Sequence, residues 1–233
     1  MIFELKLFIC AFFAYFFYYF SVLDKNGSFF AGLMGLIIWE IQGLNWVLLM
    51  IGFVFISTCA TRYKYAVKKK LLVAENSGGV RRSKNVIANG IVPLLISITG
   101  KIYGWDVSLY FVGAVAAATG DTLSSEIGVL SRGKTYLITT LKETEKGVDG
   151  GVSALGFASA MFGGFLIGLL AIFVSISYTE PYLLVVIGVI SSLFGSIVDS
   201  ILGATLERYG FITNEIVNFF CTISGAYVVS FVV

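Results

Sequence analysis

The 233-residue chain has no histidine, which excludes imidazole base chemistry and histidine-ligated metal sites. Charge is scarce: 13% of residues are charged, roughly half the share of a soluble domain. Proline occurs only twice and cysteine three times. Cys10, Cys59 and Cys221 lie in apolar runs without CxxC spacing, so they read as buried fillers, neither a disulfide framework nor a metal site. The opening stretch "MIFELKLFICAFFAYFFYYFSVL" lacks a basic leading region, and no small-residue cleavage site follows it. It therefore reads as a retained first helix and not as a signal peptide. Alternating segments of about ten residues, the mark of a membrane β-barrel, are also missing.

What is present is hydrocarbon. Hydrophobic residues make up 58% of the chain, and 26 residues are glycine. Eight apolar segments run at 5–23, 28–41, 44–62, 85–100, 107–130, 152–176, 182–203 and 215–233. Most approach the ~20 residues that cross a bilayer. The second is short and has Glu40 and Gln42 near its end, so it reads as a full span or as a tilted or re-entrant helix. The expected fold is all-α: a polytopic transmembrane helix bundle of seven or eight membrane segments, one integral-membrane domain over residues 1–233. Glycines in "AGLMG", "FGGFLIG" and "GVISSLFGS" would let helices approach closely.

Basic residues choose the orientation. The loop 62–84 holds eight Lys or Arg against one acid, and the loop 131–150 holds Arg132, Lys134, Lys142 and Lys146. The intervening loop near 101–106 has only Lys101, and the loop near 177–181 has no basic residue. By the positive-inside rule, 62–84, 131–150 and 204–214 are expected in the cytoplasm and the C-terminus outside. The "KKK" run at 68–70 serves equally as a topology signal alone.

Polar residues collect at that same expected depth. In "GDTLSSEIG", Asp121, Ser124 and Ser125 share one helix face, and Thr122 and Glu126 form a second stripe beside it. Lipid cannot face such an arc, so it must face the bundle interior or a wet cavity. Arg81, Asn85 and Asn89 recur every four residues in "RRSKNVIANGIVP", with Pro93 an expected kink. Ser196, Asp199, Ser200 and Gly203 share a face in "GSIVDSILGATLE", with Glu207 two turns past Asp199. Asn214, Asn218 and Thr222 line up in "NEIVNFFCT". A single buried Asn or Asp is explained by interhelical hydrogen bonding; four clusters at one depth point to a shared polar site.

The loop after the fifth segment adds an anion cradle. Lys142 and Lys146 precede Gly147, Gly150, Gly151 and Ser153, just before a helix. Backbone N–H groups and the dipole at such a turn favour phosphate, and lysines add point charge. Taken alone, "DGG" is equally an ordinary turn, and the P-loop pattern is absent. Carboxylates, amides, hydroxyls, lysines and a glycine turn together suit Mg²⁺ and phosphates, because magnesium takes oxygen ligands and phosphoryl transfer needs positioning and charge neutralisation. The expected metal ligands are Asp121, Glu126 and Asp199, and these with Lys142 are expected to carry the chemistry. Lys146, Gly147, Gly150, Gly151, Ser153, Ser124 and Ser125 are expected to bind nucleotide or phosphate. Arg81, Arg82, Lys84, Asn85 and Asn89 are expected at a lipid phosphate, with Ser200 and Asn218 completing the polar site.

The strings "ANG", "GDTLSSEIGVLS", "LITT", "GVDGGVS" and "GSIVDSILGAT", followed by Asn218 in the last helix, stand in an order that resembles one integral-membrane family. That family groups plant phytyl-phosphate kinase with animal transmembrane protein 19 and many archaeal and bacterial proteins. The resemblance covers roughly residues 28–233, and with no plastid transit peptide the chain looks like an archaeal or bacterial member. Family members usually show "ADTWASEIG" where this chain has Gly120, Leu123 and Ser124, and often "GTNGGVS" where it has Val148 and Asp149. The acids, Lys142, the glycines and Ser153 match; Glu207 stands where Gln is common. The resemblance implies transfer of a phosphate from a nucleoside triphosphate, CTP or UTP in preference, to a prenyl monophosphate, giving the diphosphate. A geranylgeranyl-type phosphate is the expected acceptor.

Two other classes remain open. A secondary transporter or flippase of an anionic substrate would use polar residues between glycine-broken helices, and "GDTLSSEIG" and "VDSILGAT" hint at an internal repeat. A lipid-phosphate cytidylyltransferase shares the same residues and differs in which phosphate is attacked. The expected partners are a membrane lipid and a nucleotide, with no nucleic acid; an oligomer stays open. The expected location is the cell membrane, with the site facing the cytoplasm.

Overall fold

The computed structural model describes residues 2–74, 77–177 and 179–233. Glu75, the one acid of the basic loop 62–84, its neighbour Asn76, and Tyr178 in the loop near 177–181 lie outside the described residues. The long helices are α1 (Ile2–Tyr19), α2 (Lys25–Gln42), α3 (Leu44–Arg62), α5 (Ser83–Tyr103), α6 (Ser108–Gly128), α7 (Ala154–Phe173), α8 (Pro181–Leu202) and α9 (Asn214–Tyr227). A short α4 (Tyr65–Lys70) follows α3. A π-turn over Gly203–Glu207 extends α8, and a 3-10 turn over Val228–Phe231 extends α9.

Local chemistry sets the ends. The Asp24 carboxylate accepts from Gly27 N at 2.6 Å and caps α2, while Ser153 Oγ accepts from Gly156 N at 3.1 Å and caps α7. Gly104, at φ 69°, ends α5 in the left-handed conformation that glycine takes without strain. Pro181 occupies the first turn of α8, where its missing N–H costs nothing. The second apolar segment is a full helix of 18 residues, about 27 Å at 1.5 Å per residue. Among the described residues, four helices, Leu44–Arg62, Ser83–Tyr103, Ala154–Phe173 and Pro181–Glu207, are long and apolar enough to cross a membrane. Helix α5 runs through Pro93, and Ser97 Oγ donates to Pro93 O at 2.9 Å.

Helix α6 is the centre of the bundle, packed against α3, α5, α7, α8 and α9. Its run Phe111–Ala118 is buried throughout, which "FVGAVAAA" allows because small residues admit neighbours on every side. Helices α7 and α8 cross at Gly164 and Gly188: a Cβ on Gly164 would lie 2.2 Å from Gly188 O. The outward side of α1 is apolar, with Phe8, Phe12 and Tyr15 exposed. Of the cysteines, Cys10 and Cys221 are buried; Cys59 is exposed, contrary to its reading as a buried filler.

Successive helices alternate in direction, so the connections fall into two sets. At one end, Asp24 N donates to Arg81 O at 3.0 Å, Lys84 approaches Glu215 at 3.9 Å, and Gly150 packs on Ala204. At the far end, Gln42 Nε2 donates to Ser97 O at 2.9 Å, and Lys6 pairs with Glu40 at 3.1 Å. The α6–α7 connection carries a small antiparallel sheet that an all-α reading did not include. Strands β1 (Thr135–Leu137), β2 (Glu143–Thr144) and β3 (Gly151–Val152) lie in the order β2-β1-β3. Tyr136 pairs with both Glu143 and Val152. Lys134 and Glu143 clip β1 to β2 at 2.6 Å, and that hydrogen bond holds the Lys134 ammonium above the ordinary lysine range.

Candidate active site

Two helices bring two carboxylates together. A Cβ on Gly195 of α8 would lie 2.6 Å from Ala117 Cβ on α6, so the backbones approach there. One turn further along each helix stand Asp199 and Asp121, four residues on and on the same faces. Their carboxylate oxygens approach within 4.8 Å of each other. Two carboxylate charges that near one another inside a bundle repel, and a cation between them relieves the repulsion. Cys221 of α9 completes the group: one ligand atom from each of Asp121, Asp199 and Cys221 lies within 4.8 Å of the others. Asp199 Oδ1 is buried and has no hydrogen-bond partner among the described residues. That leaves an unspent acceptor inside the bundle.

The pair forms the floor of a cavity of ≈ 710 Å³. Asp121 lies seven residues before the end of α6, about 10 Å below it at 1.5 Å per residue. Four helices begin at the cavity: the caps of α2, α5 and α7 (Asp24, Arg82 and Ser153) and Asn214, the first residue of α9, all line its wall. Exposed N–H groups and helix dipoles at such termini favour anions. The side chains carry the opposite charge. Seven acids line the wall, namely Asp24, Asp121, Glu126, Asp149, Asp199, Glu207 and Glu215, against Arg82, Lys84 and Lys146. A polyanion entering this cavity without cations would meet net repulsion.

Most of the residues expected at a polar site line this one cavity. They include Asp121, Ser124, Ser125, Glu126, Lys146, Gly147, Gly150, Gly151, Ser153, Asp199, Ser200, Arg82, Lys84 and Asn85. The glycine turn is seated firmly: Gly147 and Gly150 have φ of 80° and 75°, and a Cβ on Gly150 would lie 2.5 Å from Ala204 N. Ser153 Oγ also donates to Gly128 O at 3.2 Å, tying the end of α6 to the start of α7. Lys146 Nζ donates to Ser131 O, which anchors the turn from below.

Other expected residues stand elsewhere. Lys142 is exposed on the β1–β2 connection and is not part of the cavity wall. Arg81 is buried behind it; its Nη2 donates to Thr122 Oγ1 at 3.2 Å, and its guanidinium lies over Phe53, 5.8 Å from the ring centroid. It is close enough to act electrostatically on Asp121. Asn89 donates to Asn85 O at 3.0 Å within α5, and Asn218 donates to Asn214 Oδ1 at 3.2 Å within α9; neither lines the cavity.

Glu126 differs most from expectation. It lines the cavity, but it is not one of the three groups clustered closely enough to share an ion. Its Oε2 accepts from Lys68 Nζ at 2.5 Å, and Lys68 is wholly buried. The same ammonium donates to Ala60 O at 3.0 Å and Thr61 O at 2.6 Å, satisfying carbonyls at the end of α3. One lysine of the "KKK" run is therefore a structural cation, not a topology signal alone. Nothing in the spacing of three consecutive lysines distinguishes it. Cys221 was findable: it lies three residues after Asn218 and beside Thr222, on a helix already marked as polar.

The donor set fits a hard divalent cation at Asp121 and Asp199. Two carboxylates with an unspent buried oxygen are what magnesium takes when phosphates and water supply the rest. The Cys221 sulfur is a soft donor and adds little for magnesium.

The family described as "Integral membrane protein DUF92" matches residues 8–226. Over 206 residues the chain is 36% identical to an uncharacterized membrane protein of Methanocaldococcus jannaschii, covering 87% of this chain and 82% of that one. It is 30% identical to Protein PGR of Arabidopsis thaliana, covering 84% of this chain and 76% of the relative. It is 31% identical to the chloroplastic Protein VTE6 of the same plant, covering 84% of this chain and 61% of the relative. No solved structure matches. The matched region contains the helices, the glycine turn and both carboxylates of the floor, so the chain belongs to the DUF92 family of integral membrane proteins.

Proposed function

We propose that the chain is a membrane-embedded prenyl-phosphate kinase that uses Mg²⁺ and a nucleoside triphosphate, CTP or UTP in preference, with its site facing the cytoplasm. The observation that carries this reading is the Asp121–Asp199 pair at the floor of a cavity ringed by helix N-termini. The family resemblance to plant phytyl-phosphate kinase supports it, and the acidic wall agrees with it. A triphosphate is a poor guest for seven acids and three bases unless divalent cations enter with it.

In this reading an oxygen of the prenyl monophosphate forms a bond to the γ-phosphorus. The bond from that phosphorus to the β-bridging oxygen breaks, leaving a prenyl diphosphate and a nucleoside diphosphate. A phosphate monoester has its second pKa near ~6, so it arrives at pH 7 largely as a nucleophilic dianion. No side chain has to remove a proton, which makes the absence of histidine unremarkable in chemical terms. Magnesium at Asp121 and Asp199 would neutralise charge on the phosphates. The glycine turn 147–151 and the N-terminus of α7 offer backbone N–H groups to phosphate oxygens. Lys146, Lys84 and Arg82 supply the side-chain positive charge on the wall.

The test is product analysis with purified protein, farnesyl or geranylgeranyl monophosphate and γ-labelled nucleotides. Label in the prenyl diphosphate together with a nucleoside diphosphate is the expected result. Pyrophosphate release with a CDP-lipid would instead identify a cytidylyltransferase. Substrate uptake into liposomes without turnover would identify a transporter.

A further inference from the structure

We propose that the apolar slot between α1, α2, α3 and α5 seats a single isoprenoid chain whose phosphate lies in the polar cavity. The proposal rests on the prenyl-phosphate reading and adds which tail the protein accepts and where it lies. The slot is lined by apolar side chains such as Phe17, Met34, Val47 and Phe53, with Arg81 and Asn85 the only polar side chains among the described residues that line it. Asn85 lines both this slot and the carboxylate cavity, so the two spaces meet at the first turns of α5.

Length and width identify the occupant. The slot follows α2 from Ala31 to Ile38 and α3 from Val47 to Val54. Seven residues of helix at 1.5 Å each give about 10 Å, a third of the ~30 Å hydrocarbon core. Its volume is ≈ 70 Å³. Spread along that length, the space is roughly one hydrocarbon chain wide, which admits one chain and not the paired chains of a diacyl lipid. The polar end supplies charge complementarity, since Arg82 and Lys84 line the adjoining cavity at the start of α5, where a tail in the slot would end in its head group. The seated part is the stretch of chain nearest the phosphate, and the remainder continues into lipid.

Gly35 gives access to the slot without disturbing the backbone. A Cβ there would meet only Val47 Cγ1, at 3.9 Å, which is ordinary contact. Gly35→Leu therefore fills the slot from α2, and Ala31→Leu fills it one turn nearer the mouth. Binding is measured in nanodiscs with a fluorescent geranylgeranyl monophosphate, with water-soluble dimethylallyl phosphate and CTP as comparisons. The expected result is at least tenfold weaker geranylgeranyl phosphate binding in both variants, with CTP affinity unchanged in both and dimethylallyl phosphate affinity unchanged in Gly35→Leu, the deeper of the two. Dioleoyl phosphatidic acid is expected not to compete in the wild type. Equal losses for the long and short phosphates in Gly35→Leu, no loss for either in both variants, or competition by phosphatidic acid would overturn the proposal. Because binding is read directly, a protein that binds tails in this pattern without transferring phosphate refutes the kinase reading alone. Phosphate transfer that is indifferent to Gly35→Leu refutes the slot alone.

Discussion

At the scale of single residues, the decisive feature is a pair of acids held within 4.8 Å of each other. Two carboxylates in hydrocarbon surroundings oppose folding, and a cation between them offsets that opposition. Asp121→Asn and Asp199→Asn keep the shape and remove one charge each. We expect each to lower turnover at least ~100-fold, a loss of the size seen when a charge-stabilising group is removed. Folding should survive, because the substitution relieves like-charge repulsion. Thermal melting separates the roles. Magnesium should raise the melting temperature of the wild type, since a ligand at 100 times its Kd adds about 2.7 kcal/mol. It should leave the Asp121→Asn/Asp199→Asn double variant unmoved; an equal shift there would place the metal elsewhere. Both acids were legible in the sequence because charge inside an apolar run has few bland explanations. The partners of Arg81 and Glu126 were not legible. Arg81 and Asn89 share the helix face that suggested a head-group site, but Arg81 turns to Thr122 and Asn89 to its own helix. Such choices depend on neighbours distant in sequence.

At the scale of elements, helix α4 acts as a strap across the end of α3 and α6. It is only six residues long, too short to be stable by itself, and Lys68 is what fastens it. Its ammonium meets three oxygens and no water. Lys68→Met removes the cation and leaves the Glu126 carboxyl without its partner in a site that is 9% exposed. Breaking a buried pair on one side costs about 3–5 kcal/mol. We expect Lys68→Met to lower the melting temperature sharply, Lys69→Met to do little, and Lys68→Met/Glu126→Gln to recover much of the loss. Equal effects at Lys68 and Lys69 would mean that the strap is not fastened as described. The long helices were legible because each apolar run is close to a bilayer thickness. The strap and the three short strands were not. Each depends on one buried contact or one paired turn, such as Tyr136 between Glu143 and Val152, and neither leaves a periodic trace.

At the scale of the molecule, the basic residues and the polar cavity gather at one end of the bundle. The helix directions place all the basic loops at the cavity end; the far end has only Lys6 and Lys101. The bundle was legible as a whole because hydrophobic runs report length directly, while the crossing of α6 with α8 was visible only as scattered glycines. The charge asymmetry leads to the reading that the cavity opens to the cytoplasm, because Lys and Arg near membrane-spanning ends are retained on that side. It also agrees with the proposed chemistry, since nucleotide is supplied there and the prenyl tail need not leave the bilayer. A tail buried at about 0.8 kcal/mol per CH₂ strongly prefers to stay. The orientation can be measured without any assay of activity. Lys142 and Lys101 are both exposed, one on the β1–β2 connection and the other at the far end of α5. Single cysteines are placed there in a background carrying Cys59→Ser, because Cys59 is the exposed native thiol. Membrane-impermeant maleimide should label Lys142→Cys only in inside-out vesicles and Lys101→Cys only in right-side-out vesicles. The reverse pattern would turn the cavity to the outside and remove its access to cytoplasmic nucleotide, and labelling of both from one side would break the alternation of helices on which the site is built.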